Sequence, residues 1–377
     1  MKIDLITYSR TRNYGGILQA YGLYHYLELE GYDISFIDYI PERCNIGNRA
    51  AFVEQAAAQS KVWSKSSLTK FLFSILRYPE IRKSYKPFLD FMDQRVKFTR
   101  PYYSLAELQS DPPKADVYLT GSDQVWNSQF TRDQQLDLPF YLPFVKNGKK
   151  ISYASSFGKN TIPDQDKDMV RKLISEYQAV SVREKSGQEI LSQLGIDAEV
   201  VVDPTILCPS QEWEAIASPR MDQDYLLLYQ VRFNRDIYAV AKDVANRLGK
   251  KLIIISLDSK ERRWANDHFK VSVPVEDWMS YIKYADGVIT DSFHASVFSI
   301  LFETPFVVNF STRKGMSTRI SNLLDMTGLN KQCVNTFESE AVWRTLLQEI
   351  NWDEAHLNFE IQRKNSIEWL KNALEHK

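Results

Sequence analysis

The chain has 377 residues, 44% of them hydrophobic and 25% charged, with a formal net charge of −1. This length predicts two domains, the composition is that of a globular protein, and the charge excludes a globally basic nucleic-acid-binding protein. Three widely spaced cysteines without a CxxC pair indicate reduced thiols rather than a zinc site. The N-terminal segment is polar and charged, and no run of about 18 apolar residues occurs, so we expect a cytoplasmic protein without a spanning helix.

Residues 1–208 predict a Rossmann-like domain that opens with a βαβ unit. Strand Ile3–Tyr8 leads through a polar, glycine-containing loop into a helix at 17–30, and strand Ile34–Asp38 follows. Further strands are predicted at Val117–Thr120, Ile151–Ala154, Ala179–Arg183 and Val200–Val202, with a helix at Glu184–Leu194 between the last two. Because Pro204 and Pro209 resist continuous secondary structure, we expect a linker at the end of this domain.

A basic insertion of helical character, at about residues 50–100, interrupts the first domain. Its segment 61–100 contains ten Lys or Arg residues against three acidic ones, and Leu68–Arg77 is both apolar and basic. Such a segment is typical of a peripheral contact with an anionic membrane surface, here the inner face, or with a partner. The alternative is a pair of helices that cover the sheet and leave their lysines in solvent.

Residues 209–377 predict a second Rossmann-like domain. Its strands are predicted at Tyr225–Val231, Lys251–Ser256, Gly287–Thr290 and Phe306–Asn309, separated by helices at Arg235–Leu248, Val275–Tyr284 and Ala295–Phe302. A C-terminal helix is predicted at about 354–374. Strands that alternate with helices imply parallel sheets with helices on both faces, so the predicted fold class is α/β with two Rossmann-like domains.

The most informative segment follows strand Gly287–Thr290, where a polar turn contains Asp291, Ser292 and His294. Open parallel sheets bind their ligands at the carboxyl ends of the strands. A histidine at that edge can exchange a proton near neutral pH, and the amino end of the following helix attracts anions. The sequence therefore predicts chemistry on an anionic substrate here, with a satisfied polar residue at a helix start as the alternative for His294.

Other strand ends supply further charged candidates. Arg232 follows a strand and is the preferred anion ligand, Arg183 ends another strand, and Arg319 lies on a less certain loop. The alternative for each arginine is a surface salt bridge, and for Arg183 also a charge pair with Glu184 at a helix start. Asp123 follows strand Val117–Thr120 and is either a catalytic carboxylate or a cap.

Five motifs occur in order along the chain: Asn13 to Tyr21, Thr120 to Asn127, Ser181 to Glu184 with Ser186, Val202 to Thr205, and Thr290 to His294. Together they resemble the polysaccharide pyruvyl transferase family, from residue 3 to about residue 330. The resemblance implies a GT-B-like fold, in which two domains with parallel sheets face a cleft that holds the active site. It also implies transfer of pyruvate from phosphoenolpyruvate, the co-substrate, to two hydroxyls of a sugar, with no further cofactor. The ketal would form on a bacterial-type polysaccharide or its lipid-linked precursor.

The resemblance also implies roles for single residues. At the histidine turn, the better-described members of the family have a sequence that resembles Arg-Leu-His-Gly. This chain has Ser292-Phe293-His294-Ala295 there, so it has the histidine but not the arginine. Acid–base roles fall on His294 and Asp123. The implied donor-binding residues are Arg232, Ser292, Arg183 and Arg319, and the implied acceptor-binding residues are Asn13, Tyr14, Gly15, Gln19 and Trp126. For Tyr14 and Trp126, packing in the core is the alternative to stacking on a sugar ring.

Several other functions are weighed against this one. The loop at Asn13–Gly16 lacks a GxGxxG fingerprint, which argues against NAD, and no metal-binding motif or nucleic-acid partner is predicted. A GT-B glycosyltransferase with a nucleotide-sugar donor is the main alternative, with Glu276 or Asp277 holding the ribose. A non-catalytic glycan-binding protein is the third hypothesis.

Overall fold

A computed structural model describes the chain except for residues 59, 61, 131–134, 266–267, 310–316, 337 and 376–377. Its contacts divide into two compact units, one of Met1–Val201 with Leu370–Lys377 and one of Val202–Trp369. The division therefore falls at Val201 rather than at residue 208, and the last residues belong to the first unit rather than to the second. The predicted linker is instead a buried 3-10 helix, Pro204–Ile206, whose Thr205 carbonyl accepts a hydrogen bond of 3.0 Å from Trp213 Nε1.

The first unit is built on seven described parallel strands. They are β1 (Lys2–Ile6), β2 (Asp33–Tyr39), β3 (Phe98–Tyr102), β4 (Val117–Thr120), β5 (Lys149–Ser155), β6 (Ala179–Val182) and β7 (Glu199–Val200). The helices are α1 (Tyr14–Leu29), α2 (Arg49–Ala58), α3 (Ser67–Leu76), α4 (Tyr78–Arg95), α5 (Leu105–Ser110), α6 (Asp164–Ile174) and α7 (Lys185–Gln193). The strand order is β3-β2-β1-β4-β5-β6-β7, and every described pair is parallel.

This order creates a switch point between β1 and β4. From β1 the chain builds outward through β2 and β3, and it then returns to the other side of β1 to build β4 to β7. The connections that leave the carboxyl ends of β1 and β4 run in opposite directions, which opens a crevice at that edge. β1 ends at Ile6, two residues before the predicted end, and the hydroxyl of the next residue, Thr7, donates a hydrogen bond of 2.6 Å to the Ser122 carbonyl.

The second unit repeats this plan with six described parallel strands. They are β8 (Tyr225–Tyr229), β9 (Lys251–Ser256), β10 (Phe269–Val271), β11 (Gly287–Thr290), β12 (Phe306–Asn309) and β13 (Cys333–Val334), in the order β10-β9-β8-β11-β12-β13. The helices are α8 (Ser210–Ile216), α9 (Arg235–Arg247), α10 (Val275–Lys283), α11 (Phe293–Leu301), α12 (Ser317–Thr327), α13 (Ser339–Leu346) and α14 (Trp352–Glu375). The switch point lies between β8 and β11.

The apolar strands explain why each sheet is covered on both faces. All five residues of β8 and all four of β11 are buried, as expected for central strands of a parallel sheet between two helical layers. Helices α2 to α4 form the insertion and have a small core of their own, which includes Phe52, Phe73 and Tyr78. Helix α4 also covers α1, where the Phe88 ring lies 4.8 Å from the Tyr14 ring. Within the described residues, no helix is long and apolar enough to cross a membrane.

Candidate functional site

In the second unit, the turn after β11 places His294 inside a helix. The Ser292 hydroxyl accepts a hydrogen bond of 3.2 Å from the Ala295 amide and thereby caps α11. The Ser292 amide donates a hydrogen bond of 3.0 Å to Thr290 Oγ1, which ties the cap to the strand. Helix α11 therefore begins at Phe293, two residues earlier than predicted, and His294 lies in its first turn. Ser292, an implied donor ligand, is buried and already engaged as the cap.

Asp203 is the partner of His294. Nε2 of His294 lies 3.5 Å from Oδ2 of Asp203, whose side chain is fully buried, while the His294 side chain is 13% exposed. Asp203 Oδ1 accepts hydrogen bonds from the amide and the hydroxyl of Thr205, at 3.0 and 2.8 Å. His294 Nε2 has no hydrogen-bond partner among the described residues. A fixed carboxylate thus faces the imidazole, an arrangement that orients the ring of a histidine that transfers protons.

Sequence reasoning missed this role of Asp203, because its two neighbouring prolines suggested a linker. The only sign of it was that Val202 to Thr205 formed one of the five motifs of the resemblance. No local pattern connects residues 203 and 294, which are brought together by the fold.

Asp291 joins the two strands at the switch point of the second unit. Its carboxylate accepts hydrogen bonds from the amides of Val231, at 2.7 Å, and Arg232, at 3.3 Å. These amides leave the strand ladder, which explains why β8 ends at Tyr229 rather than at the predicted Val231. Burial raises the pKa of Asp291, and the two amides and the Arg232 charge oppose that rise. Asp291 is therefore a structural clamp that fixes the backbone of Arg232.

The three arginines suggested by the sequence have different surroundings. The Arg232 side chain is exposed at the switch point and makes no ion pair with any described residue, so it is available to an anion. Arg319 lies in the first turn of α12, partly buried, rather than on a loop. Arg183 belongs to the first unit, where it is buried among polar groups. Arg232 lies at the sheet edge that carries His294, because its amide is bonded to Asp291 in the turn before α11.

In the first unit, Asp123 lies at the switch point between β1 and β4 and has a strained backbone. Its φ is 74°, in the left-handed region that non-glycine residues rarely adopt. Three hydrogen bonds hold it there: its carbonyl accepts from the amides of Val125, at 2.8 Å, and Ser156, at 3.0 Å, and its Oδ1 accepts from the Gln124 amide at 2.8 Å. Strain of this kind persists where the surrounding structure enforces it, and it is concentrated at functional sites.

The buried side chain of Arg183 lies next to the Asp123 carboxylate. Its guanidinium lies 3.8 Å from Asp123 Oδ1 and 3.5 Å from Glu184 Oε2, and it donates a hydrogen bond of 3.4 Å to Ser122 Oγ. Glu184 accepts in turn from the Ser156 hydroxyl. The helix-start pair with Glu184, one of the two sequence interpretations, is therefore present, and the buried guanidinium acts as a positioning group for Asp123.

The amino end of α1 lies beside the same carboxylate. Asn13 is exposed and caps the helix, with Oδ1 accepting from the Gly16 amide at 3.3 Å. A Cβ on Gly16 would lie 3.6 Å from Asp123 Oδ2 and 2.9 Å from Thr11 Cγ2, so this position requires glycine. Asn13, Gly16 and Asp123 thus form one small polar surface at the crevice.

The remaining acceptor candidates are buried. Gln19 donates from Nε2 to the Gly16 carbonyl at 2.8 Å inside α1, and Gly15 is buried next to it. Tyr14 packs on Phe88, and the Trp126 ring stacks on Tyr141 with centroids 5.9 Å apart. Both rings are core residues, which is the second of the two interpretations that the sequence left open.

A polar network beside this surface was not found from the sequence. Arg43 donates a hydrogen bond of 2.9 Å to the Tyr8 hydroxyl and another of 2.5 Å to Asp137, which also accepts from Tyr39 at 2.8 Å. Burial raises the pKa of Tyr8, and the negative charge of Asp123 contributes to that rise, so Tyr8 is electrostatically coupled to the candidate carboxylate. The only sign in the sequence was that Tyr8 ends the first predicted strand.

Two further predictions concern the nucleotide alternative and metals. Glu276 and Asp277 lie in the first turn of α10, where Asp277 Oδ1 accepts a hydrogen bond of 2.6 Å from the Ser218 hydroxyl. Asp277 is thus engaged within the fold. In the part of the chain that the structure describes, no group of three His, Cys, Asp or Glu side chains is arranged to hold a metal.

Solved structures share this two-domain fold. The UDP-GlcNAc 2-epimerase of Methanocaldococcus jannaschii is 14% identical, with a TM-score of 0.52 over 97% of this chain and 100% of that one. The enzyme of Neisseria meningitidis, bound to UDP-GlcNAc, is 12% identical, with a TM-score of 0.52 over 99% and 100%. At such identities the likeness shows the fold alone, and it confirms the predicted fold class of two Rossmann-like domains with parallel sheets.

A family comparison is more specific. A search of curated proteins gives no match. The family model for polysaccharide pyruvyl transferase, in contrast, matches residues 13–309, which is most of the chain. The matched range includes Asn13, Asp123, Arg232 and His294, which lie at the two switch points, and Asp203, the partner of His294. The protein therefore belongs to the polysaccharide pyruvyl transferase family.

Proposed function

We propose that this protein transfers the pyruvyl group of phosphoenolpyruvate to two hydroxyls of one sugar, forming a cyclic ketal and releasing phosphate. The observation that carries the proposal is the pairing of His294 with the buried Asp203 at the carboxyl edge of the second sheet, beside the exposed Arg232. Membership of the family supports the reaction class. The carboxylate and phosphate of the donor match a site that offers a guanidinium and the amino end of a helix.

The reaction moves two protons: each of the two hydroxyls loses one, C3 gains one of them, and the released phosphate takes up the other. C3 of the donor gains a proton as a sugar hydroxyl, losing its own proton, forms a bond to C2. A second hydroxyl then attacks C2 as the bond to the phosphate oxygen breaks, and its proton leaves. We assign one of these transfers to His294, because Asp203 fixes its ring, and the donor anion to Arg232 and the first amides of α11.

We assign the sugar acceptor to the switch point of the first unit. There Asp123, held by strain and by Arg183, and the exposed Asn13 offer a carboxylate and an amide to sugar hydroxyls. A carboxylate beside a hydroxyl serves as a general base. The acceptor is a sugar of a polysaccharide or of its lipid-linked precursor.

The test is mass spectrometry of candidate oligosaccharides incubated with the protein and phosphoenolpyruvate. We expect a gain of about 70 Da on the glycan, the increment of a pyruvyl group that bridges two hydroxyls in a covalent transfer. With donor labelled with carbon-13 in all three carbons, the product must be heavier by one further mass unit for each labelled carbon. One equivalent of phosphate should appear for each ketal formed.

The control arms replace the donor. UDP-sugars should give no glycosylated product and should not protect the protein against thermal unfolding, whereas phosphoenolpyruvate should protect the wild type and fail to protect Arg232→Ala. Protection by a UDP-sugar alone, together with transfer of its sugar, would show that the protein is a glycosyltransferase.

A further inference from the structure

Helix α3 presents an apolar face to solvent. Leu68, Phe71, Leu72, Ile75 and Leu76 follow the spacing of one helical face, and each is between 40% and 67% exposed. We call these five residues the α3 face. Helices that cover a globular core turn such a face inward, so an outward stripe of this size marks an interaction surface.

The opposite side of α3 fixes this orientation. Phe73 is buried there, with its ring 5.7 Å from that of Trp63. Arg49 donates hydrogen bonds of 2.8 and 3.0 Å to the hydroxyl and carbonyl of Ser74, and Lys70 forms an ion pair of 2.5 Å with Glu54. The protein therefore holds α3 by its polar side and Phe73, and leaves the apolar side outward.

The chain segment that contains α3 is strongly basic. Residues 62–86 contain six Lys or Arg residues and one acidic residue. Arg82, Lys83 and Lys86 on α4 are exposed and line a cavity of about 900 Å³, which Asp90 and Asp93 also line, and Lys86 forms an ion pair with Asp90. At the ends of α3 itself, the exposed Lys65 precedes the helix, and Arg77, which pairs with Glu80, is its C-cap.

We propose that the α3 face and these cations dock the protein on an anionic lipid surface. An apolar stripe with Lys and Arg beside it is the combination that lets a helix lie in the plane of a membrane interface. The charge favours anionic lipids over an apolar protein partner or a second copy of this chain, which would have to bring equally basic surfaces together. Because the stripe has only five side chains, binding is reversible and depends on the cations, so it weakens with salt. The inference is independent of the proposed transferase reaction.

The test is cosedimentation of the full chain with vesicles of phosphatidylcholine alone or with about one-third phosphatidylglycerol, at low and high salt. We expect binding to the anionic vesicles only, and its loss at high salt. Phe71→Ser with Leu76→Ser should lower the partition coefficient at least about tenfold, since two inserted side chains are lost. Arg82→Gln with Lys83→Gln should lower it by about 25-fold, at roughly fivefold for each cation near the surface.

The control is Leu357→Ser with Ile361→Ser, which removes two similarly exposed apolar side chains from α14 and should leave the partition unchanged. Circular dichroism and the thermal midpoint report whether each variant folds, and the charge variant tests the proposal without touching α3. Equal binding to both kinds of vesicle, or α3 variants that bind as the wild type does, would overturn it. So would a wild-type dimer in lipid-free sedimentation equilibrium that the α3 variants convert to monomer, because the face would then join two copies.

Discussion

His294 and Asp203 form a pair in which each residue has a different role, and mutations can separate the two roles. His294 is the group that we assign to proton transfer, and Asp203 acts through it as a positioning residue. We expect His294→Gln to lower kcat by about 10²- to 10⁴-fold, the usual contribution of a positioned acid or base. Asp203→Asn should cost less than that, because Asn can still accept the hydrogen bonds of Thr205 and keep the local fold.

Phosphate release at saturating donor measures both values of kcat. The matched control is His356→Gln in the same unit, where Nε2 also lies near a carboxylate, 3.3 Å from Glu303 Oε1, but the side chain is more exposed. That variant should retain kcat within about twofold, as surface substitutions leave the rest of a protein largely unchanged. If Asp203→Asn had a kcat as low as that of His294→Gln and were also less stable than the wild type, Asp203 would be required for folding only.

Asp123 permits a test that separates strain from chemistry. Asp123→Gly suits a φ of 74° but loses the contacts of the carboxylate with the Gln124 amide and Arg183, so we expect the free energy of unfolding to change by no more than about 1 kcal/mol while activity is abolished. Asp123→Asn keeps the side-chain acceptor for the Gln124 amide and should unfold as the wild type does, again with a large loss of kcat. Urea denaturation and the phosphate assay give the two readouts. Full activity in either variant would exclude the carboxylate from the reaction.

For single residues, the sequence was sufficient to predict which side chains lie at strand ends. The alternation of strands and helices implies parallel sheets, and ligands bind at the carboxyl ends of parallel strands. It located His294, Asp123 and Arg232 in this way. It could not show that Arg183 lies under Asp123 or that Asp203 faces His294, because these pairs are 60 and 91 positions apart in the chain and only the packed fold brings them together. Whether Tyr14 and Trp126 faced a ligand or the core likewise depended on tertiary packing.

Among the secondary-structure elements, four strands were predicted to the residue, whereas the edge strands β3, β10 and β13 were missed. β4, β9, β11 and β12 match their predicted ranges, because each is a continuous apolar run bounded by polar or turn residues. β3 was not predicted, since Phe98–Tyr102 contains Arg100 and Pro101 and lies at the edge of its sheet. Helix ends shifted where side chains supplied the caps, as Ser292 does for α11.

One element carries a polar residue that its apolar pattern does not explain. Asp4 lies inside β1 with a fully buried side chain, and neither carboxylate oxygen has a hydrogen-bond partner among the described residues. Burial raises the pKa of Asp4 to about 6, against the opposing charge of Lys2. Because the folded pKa exceeds the unfolded value of 3.8, this group stabilises the fold fully only below pH 3.8, and that contribution is lost as the pH rises through 6.

We therefore expect Asp4→Asn to raise the free energy of unfolding at pH 7.5 by about 1–2 kcal/mol, after allowance for solvent screening. The gain should shrink as the pH falls from 6 and vanish near pH 4, where the wild-type carboxyl is neutral in both states. Urea denaturation at pH 4, 6 and 7.5 measures it, with the exposed Asp168→Asn as the control that should show no such trend. A gain that is independent of pH would contradict the assignment of a raised pKa to Asp4.

For the whole molecule, chain length and the order of the elements predicted two α/β domains, but not how the chain is divided between them. The division depends on single contacts, such as the hydrogen bond of 3.0 Å from the Val201 amide to the Val182 carbonyl, which keeps Val201 in the first unit. Helix α14 has one continuous amphipathic pattern, so nothing in the sequence indicates that it leaves the second unit at Trp369 and joins the first at Leu370. The first unit is thus built from both ends of the chain.

This topology makes the stability of the first unit depend on the last turns of α14. Leu370 and Leu374 are buried there, and Lys371 forms an ion pair of 2.7 Å with Glu30. Leu370→Ala should lower the free energy of unfolding of the first unit by about 2–5 kcal/mol, since a buried leucine is replaced by a cavity. Leu357→Ala, an exposed leucine on the same helix but in the second unit, should change it by less than about 0.5 kcal/mol. Calorimetry with limited proteolysis identifies which unit unfolds first: Leu370→Ala should expose cleavage sites before residue 201 at lower temperature. Cleavage that instead begins after residue 202 would mean that the end of α14 stabilises the second unit, and the chain would then divide simply into an N-terminal and a C-terminal half.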